Sequence, residues 1–327
     1  MQNGTVFPLS AGIRNTALAL AVDAVTAEVV TALRNTGIRP LLLKGPSIAG
    51  WLYGDDAARP YGDSDLLVSP GSYRLAENAL RALGFRPLGY LSQGHVDSQA
   101  WLRHSDNASV DLHRSLVGVC ASPDVLWEEL AAKTETLRVG GIDVEVLGMP
   151  GRALHIALHA AQHGVDSERP LTDLGRAIRI VDEQVWREAT ELARRVDALA
   201  AFATGLRLDD PAGRRLVEHL HLPVDRPPLV VLRAGPEVRV AITLERLASE
   251  GSLRARARLL LGALFPSPGY MRKWATGRGW PWAGAGPPGR LGLWLAYIWR
   301  LIWILVRLPR AVATVRRARR RQGSAAS

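Results

Sequence analysis

The chain of 327 residues contains only one cysteine, Cys120, and this scarcity excludes several kinds of protein. A single thiol cannot build a disulfide framework or a cysteine-based metal cluster. We expect Cys120 to be a small buried apolar residue rather than a nucleophile. The apolar run at residues 18–22 is short and is followed by Asp23, so we do not expect a secretory signal. These features are typical of a cytoplasmic protein.

Acidic residues are missing from the last part of the chain. Residues 251–327 contain no Asp or Glu and fifteen Lys or Arg, whereas the first 250 residues carry 31 acidic and 26 basic groups. The formal net charge of +10 therefore combines a body of net charge −5 with a strongly basic tail. Because the body is acidic, we do not expect a nucleic acid to be the substrate.

Hydrophobic periodicity divides the chain into a mixed front half and a helical back half. Apolar alternation around Gly140-Gly141 predicts a hairpin over residues 134–147, and Pro150 begins a run of helices that continues to about residue 250. The other predicted elements are helices at 17–35, 48–53, 73–83 and 123–133, and strands at 41–43, 64–68, 85–91, 100–103 and 109–113. This order predicts an α+β fold, a mixed sheet with flanking helices followed by a helical C-terminal half.

Composition suggests three regions within this fold. We predict an α/β domain at 1–149, a helical domain at 150–270, and a C-terminal helix with a basic tail at 271–327. The segment 223–228 and the segment 277–289, the latter rich in Gly, Pro and Trp, are predicted to be flexible.

Two aspartates, Asp63 and Asp65, are the most informative feature of the front half. Residues two apart on a strand project from the same face, so both carboxylates are expected on one side. Asp111 lies on another apolar strand, and if the two strands pair it would complete a site for Mg²⁺ as a third ligand or as the activating base. Asp-X-Asp is also common at solvated strand ends, so the spacing alone is a weak indication.

Four residues are expected around these aspartates because they flank the first strand or the Asp-X-Asp segment. Lys44 and Gly45 end the first strand, Ser47 follows in the turn, and Arg59 precedes Asp63 by four residues. Lys44 and Arg59 could neutralise the charge of a triphosphate. The alternative is that they are surface cations or form structural ion pairs with the acidic pair at 55–56.

The segments Leu43-Lys44-Gly45-Pro46-Ser47, 59–68 and Val110-Asp111-Leu112-His113 occur in an order that resembles the polymerase-β-type nucleotidyltransferase superfamily. More narrowly, the chain is similar to a bacterial family of largely uncharacterised nucleotidyltransferases. The resemblance implies NTP-dependent transfer of a nucleoside monophosphate to a small-molecule or peptide acceptor, with ATP as the expected donor. It also implies that Asp63, Asp65 and Asp111 bind the metal.

The turn after the first strand departs from the pattern of that superfamily, which has Gly-Gly or Gly-Ser there. Pro46 lacks the backbone N–H that could hold a phosphate, and the hydroxyl of Ser47 could replace it. Two other functions remain compatible with the sequence. One is a non-catalytic nucleotide-binding or regulatory module docked to a membrane or a partner. The other is a toxin–antitoxin type transferase that modifies protein or tRNA.

Histidines recur on one predicted helix face at His155, His159 and His163. They could bind a transition metal or line an acceptor pocket, with Asp173 orienting one of them, but histidines hydrogen-bonded near a core are commoner. His113 follows Asp111 by two positions, and we interpret it as structural on balance.

The C-terminal region 290–321 combines an apolar helix with a basic end. Residues 291–306 are apolar except for Arg300, and such a helix would be about 24 Å long, short of the hydrocarbon core of a bilayer. A helical wheel places Arg300, Arg307 and Arg310 on one side. The pattern favours a helix lying on an anionic membrane surface at the cytoplasmic face, and the alternatives are a helix docked on protein or a true span.

Overall fold

The computed structural model describes residues 11–54, 59–88, 97–164, 167–223, 253–266 and 287–323, with six single residues between 244 and 275. The helices there are α1 (Ala11–Asn35), α2 (Pro46–Tyr53), α3 (Tyr73–Ala82), α4 (Pro123–Ala131), α5 (Met149–His163), α6 (Glu168–Ile180), α7 (Glu183–Arg195), α8 (Leu199–Leu206), α9 (Ala212–His219), α10 (Leu253–Leu264) and α11 (Pro287–Gly323). The strands are β1 (Leu41–Leu42), β2 (Ser64–Leu67), β3 (Arg86–Pro87), β4 (Ser98–Arg103), β5 (Ala108–His113), β6 (Thr134–Val139) and β7 (Ile142–Leu147).

The seven strands form one mixed sheet in the order β3-β4-β5-β2-β1-β7-β6. The two central strands, β1 and β2, pair antiparallel. On their outer sides β2 pairs parallel with β5, and β1 pairs parallel with β7. The predicted hairpin is confirmed as the antiparallel pair of β6 and β7. The fold class is therefore the predicted one, a mixed sheet with flanking helices followed by a helical C-terminal half.

The core explains why short strands can hold the centre of this sheet. Every residue of β1 and β2 is buried, so both faces of these strands are covered. One cluster joins apolar residues of α1, α3 and the sheet: Val29, Val30, Leu33, Leu42, Leu66, Leu80, Phe85, Trp101, Leu112 and Val146 among others. Polar side chains on β2 and β5 therefore project from strands that the core holds in place.

The chain divides into two compact units. The first comprises residues 1–86, 101–115 and 123–152, and the second comprises 87–100, 116–122 and 153–327. Within the second unit, α5 and α8 approach very closely, since a Cβ added at Gly205 would lie 1.9 Å from the carbonyl oxygen of Ala157. Such an approach requires glycine at this point of the helix pair.

Several predicted boundaries differ from the observed ones. Helix α1 begins at Ala11 rather than at residue 17, and α11 begins at Pro287, within a segment predicted to be flexible. Of the predicted strand at 85–91 the structure has β3, and residues 89–91 lie outside the described residues. Residues 55–58, most of 223–228 and residues 277–286 also lie outside them.

The prediction that Cys120 is buried is wrong, because its side chain is exposed. It lies in an irregular segment between β5 and α4, where its amide donates to the carbonyl of Asp197. The backbone bond fixes the segment and leaves the thiol at the surface.

Candidate active site

The pairing of β2 with β5 brings the predicted aspartates together. The strands run parallel with Asp65 directly opposite Asp111, so the pairing on which the predicted site depended is present. Asp63 lies one residue before β2, and its side chain is half-buried like that of Asp111, whereas Asp65 is buried. Asp65 and Asp111 are therefore neighbours on adjacent strands, whereas Asp63 lies outside the group of side chains whose ligand atoms converge.

Lys44 places a positive charge among these carboxylates. Its Nζ lies 2.7 Å from Oδ1 of Asp65, and Asp63 and Asp111 also raise the pKa of the lysine electrostatically. Burial alone would lower the pKa of Lys44, but the three carboxylates outweigh it and the pKa is raised. Burial would likewise raise the pKa of Asp65, yet Lys44 and His113 together hold it well below its usual range. Asp65 is therefore ionised and Lys44 protonated at neutral pH.

His113, which we interpreted as structural from the sequence, lies beside Asp65. Its Nε2 lies 3.1 Å from Oδ1 of Asp65, and its Nδ1 is buried without a hydrogen-bond partner among the described residues. One ligand atom each from Asp65, Asp111 and His113 lies within 4.8 Å of the others, so this group could hold a metal ion. The available signal was the two-residue spacing of Asp111 and His113 on one strand, which puts both side chains on the same face.

The turn that ends β1 requires its glycine. Gly45 has φ 66° and ψ −124°, a conformation that residues with a Cβ adopt at a cost, and it precedes Pro46 at the start of α2. The ring of Tyr61 lies against Gly45, 3.5 Å from where a Cβ would be. Ser47 is buried, and its hydroxyl has no hydrogen-bond partner among the residues that the structure describes.

Tyr61 fixes the segment that leads to the aspartates. Its hydroxyl donates to Oδ1 of Asp23 on α1 at 2.8 Å. Burial raises the pKa of Tyr61, and the hydrogen bond to Asp23 raises it further, so the phenol stays protonated. Sequence reasoning missed this contact because the two residues are far apart in the chain. The buried Arg59 lies at the start of the same segment, and its suggested partners at 55–56 lie outside the described residues.

The three histidines of α5 share one face as predicted. The rings of His155 and His159 are 6.2 Å apart at their centroids, and those of His159 and His163 are 4.4 Å apart in an edge-on contact. Across the part of the chain that the structure describes, Asp65, Asp111 and His113 are the one group of three such side chains whose ligand atoms converge. The three histidines of α5 are therefore a weaker candidate for a metal site than Asp65, Asp111 and His113. Asp173, on α6, is buried.

A comparison with protein families agrees with the resemblance to uncharacterised nucleotidyltransferases. The profile of a family described as "Uncharacterised nucleotidyltransferase" matches residues 10–210, more than half of the chain, and the chain belongs to this family. The crystal structure of an antigenic nucleotidyltransferase-like protein from Paracoccidioides brasiliensis is similar at 15% identity and a TM-score of 0.33, over 62% of this chain and 96% of that chain. No curated protein matches the sequence. Family membership implies a nucleotide substrate.

Proposed function

We propose that this protein is a Mg²⁺-dependent nucleotidyltransferase of the polymerase-β-type superfamily that moves a nucleoside monophosphate from an NTP, with ATP as the expected donor, to a small-molecule or peptide acceptor. The observation that carries the proposal is the parallel register of Asp65 and Asp111 beside Asp63, in a chain whose family is a nucleotidyltransferase family. The net charge of −5 on residues 1–250 supports an acceptor other than a nucleic acid.

The donor set fits a divalent cation. Asp65 and Asp111 offer hard oxygen ligands of the kind Mg²⁺ prefers, and His113 adds a nitrogen beside Asp65. Asp63, one residue before β2, would be a further oxygen ligand. When bound, the cation supplies positive charge that polarises phosphate oxygens and favours loss of a proton from the acceptor. Asp65 also accepts from Lys44, so the lysine would share this carboxylate with the cation.

The reaction forms one bond and breaks another at the α-phosphorus. The acceptor oxygen or nitrogen attacks the α-phosphorus, and the bond to the oxygen that bridges to the β-phosphorus breaks, so pyrophosphate leaves. Asp111 would accept the proton of the acceptor, acting as the base. Lys44, and Arg59 at the entrance to the Asp-X-Asp segment, would offset the negative charge of the triphosphate.

Label transfer tests this proposal. Full-length protein is incubated with each α-³²P-labelled NTP, Mg²⁺ and a panel of small hydroxyl compounds, amines and peptides. We expect wild-type transfer to at least one acceptor class, and a loss of roughly a hundredfold or more in Asp63→Asn and Asp65→Asn, since each removes a carboxylate that would hold the cation. Transfer that persists in both variants would show that the site is misplaced.

Asp143→Asn provides the matched control. Asp143 lies on β7 and its side chain is 66% exposed, paired only with the equally exposed Arg138 among the described residues. The substitution makes the same chemical change outside the site, so activity should stay at the wild-type level. NTP binding without transfer to any acceptor would instead favour the non-catalytic module.

A further inference from the structure

Helix α11 exposes a continuous apolar stripe. Six large apolar side chains along it are each more than half exposed: Leu291, Trp294, Ile298, Ile302, Leu305 and Val306. The first five are three or four residues apart and Val306 is four residues from Ile302, so all six lie on one face of the helix. From the first to the last the stripe is about 22 Å long at the rise of an α-helix. A surface of this size and continuity on a soluble protein marks an interaction site.

The opposite face of α11 packs on its own unit. Nη2 of Arg300 donates to the carbonyl of Ala263 at 2.7 Å, and the hydroxyl of Tyr297 donates to the carbonyl of Pro266. A small cluster of Met271, Ala275 and Ala296 is buried beneath it, with Trp299 and Trp303 against it. Because Ala263 lies in the last turn of α10, Arg300 also caps the end of that helix.

This packing corrects the helical-wheel expectation for the arginines. The wheel put Arg300 on the polar side that would accompany a lipid surface, whereas the structure turns Arg300 towards protein. Arg307 stacks its guanidinium over the ring of Trp303, 4.3 Å from the centroid. The helix is therefore fixed with its apolar face outward.

We propose that this stripe is a docking surface for an anionic membrane, on which α11 lies flat. The segment Leu291–Ala313 has a mean hydropathy of 1.6 and is 11% buried, so its composition suits lipid contact. A helix with one face packed on protein cannot be surrounded by lipid, and this favours a position in the interface over a span. A tryptophan within the stripe suits the headgroup region.

Charge identifies the kind of surface. Residues 251–327 carry fifteen basic and no acidic residues, and Arg316, just beyond the stripe, is exposed. Anionic headgroups complement this charge, and each Lys or Arg near such a surface strengthens binding. A second copy of the chain would instead bring two strongly basic segments together, which like-charge repulsion disfavours.

Vesicle flotation of the full-length protein tests the surface. Vesicles of phosphatidylcholine alone are compared with vesicles that contain phosphatidylserine in addition. We expect wild-type protein to float with the anionic vesicles, to bind neutral ones roughly tenfold more weakly, and to be released by high salt. The double variant Ile298→Glu/Ile302→Glu places charges in the stripe and should bind anionic vesicles at least about tenfold more weakly.

The control carries the same two charges elsewhere. Leu75 on α3 and Ile180 on α6 are also more than half exposed, and Leu75→Glu/Ile180→Glu should float like the wild type. Thermal unfolding of all three proteins checks that each is folded. Equal flotation of wild type and the stripe variant would overturn the proposal. A wild-type dimer that ignores vesicles and dissociates in the stripe variant would also overturn it, by assigning the face to self-association.

Discussion

In the ion pair between Lys44 and Asp65, the cost of burying two charges opposes their electrostatic attraction. Two opposite charges are held largely out of water, at 19% and 3% side-chain exposure, and two more carboxylates lie close to the lysine. The desolvation of such a pair is offset only while both partners are present. Without a cation, the ammonium group of Lys44 therefore balances the charge of the carboxylates. A bound cation would use the same carboxylates.

Removing the lysine should leave uncompensated carboxylates. We expect Lys44→Met to lower the free energy of unfolding by about 3 kcal/mol, because Asp65 would remain ionised and buried. The double variant Lys44→Met/Asp65→Asn should lose clearly less than the sum of the two single variants. Urea unfolding followed by circular dichroism measures this cycle. Additive losses would mean that the two side chains do not interact in solution.

Individual residues also show how far the sequence could be read. Asp63, Asp65 and Asp111 could be selected because their spacing and strand context are local properties. The contact of Tyr61 with Asp23 could not, since nothing near either residue specifies the other. The segment that carries Cys120 is held by a backbone bond to Asp197, which is still more distant in the sequence.

At the scale of elements, one carboxylate connects the hairpin β6–β7 to the segment that leads into the central strand β1. Glu145 on β7 accepts from Nε of Arg39, just before β1, and from the hydroxyl of Thr134 on β6. Hydrogen bonds from Arg39 lower the pKa of Glu145. Its contribution to stability is therefore present above the ordinary pKa of a glutamate and is lost as the pH falls through the lowered value.

The Glu145→Gln variant should reveal this dependence. We expect it to be less stable than the wild type by about 1 kcal/mol at pH 7, because the pair is partly exposed, and to approach the wild type as the pH falls through the lowered pKa of Glu145. Chemical unfolding at a series of pH values gives the comparison. In Asp143→Asn, on the same strand, the stability should stay within about 0.5 kcal/mol of the wild type at every pH. A gap for Glu145→Gln that does not change with pH would exclude the carboxylate as its cause.

The elements and the fold class were largely predictable, whereas the order of the strands in the sheet and the packing of the helices were not. Periodicity found the hairpin β6–β7 and the helix at the C-terminus. A helical wheel states which residues of α11 share a face, but it does not state which face meets the protein. The hydrogen bond from Arg300 to the carbonyl of Ala263 shows that the face with Arg300 meets the protein.

At the scale of the whole molecule, the proposed cation should stabilise the fold as well as support the chemistry. Ligands that bind only the folded state raise its stability, by about 2.7 kcal/mol at a hundred times the dissociation constant. We expect Mg²⁺ or Mn²⁺ with a non-hydrolysable NTP analogue to raise the Tm of the wild type, and to leave the Tm of Asp65→Asn/Asp111→Asn unchanged. Differential scanning fluorimetry with and without EDTA measures the shift.

This measurement separates binding from turnover. A shift in the wild type without label transfer would identify a nucleotide-binding module, because cation and nucleotide would be bound and the chemistry absent. An equal shift in the wild type and the double variant would place the cation at other residues.

The register between β1 and β7 has a consequence for synthesis. Leu42 on β1 pairs with Val146 on β7. The central strand β1 therefore gains this neighbour only after more than a hundred further residues have been synthesised. Until the ribosome has released that stretch, β1 has an open edge and the Asp-X-Asp strand beside it lacks a finished frame. The nascent chain would therefore carry an unpaired strand edge, open to pairing with other chains, until β7 emerges.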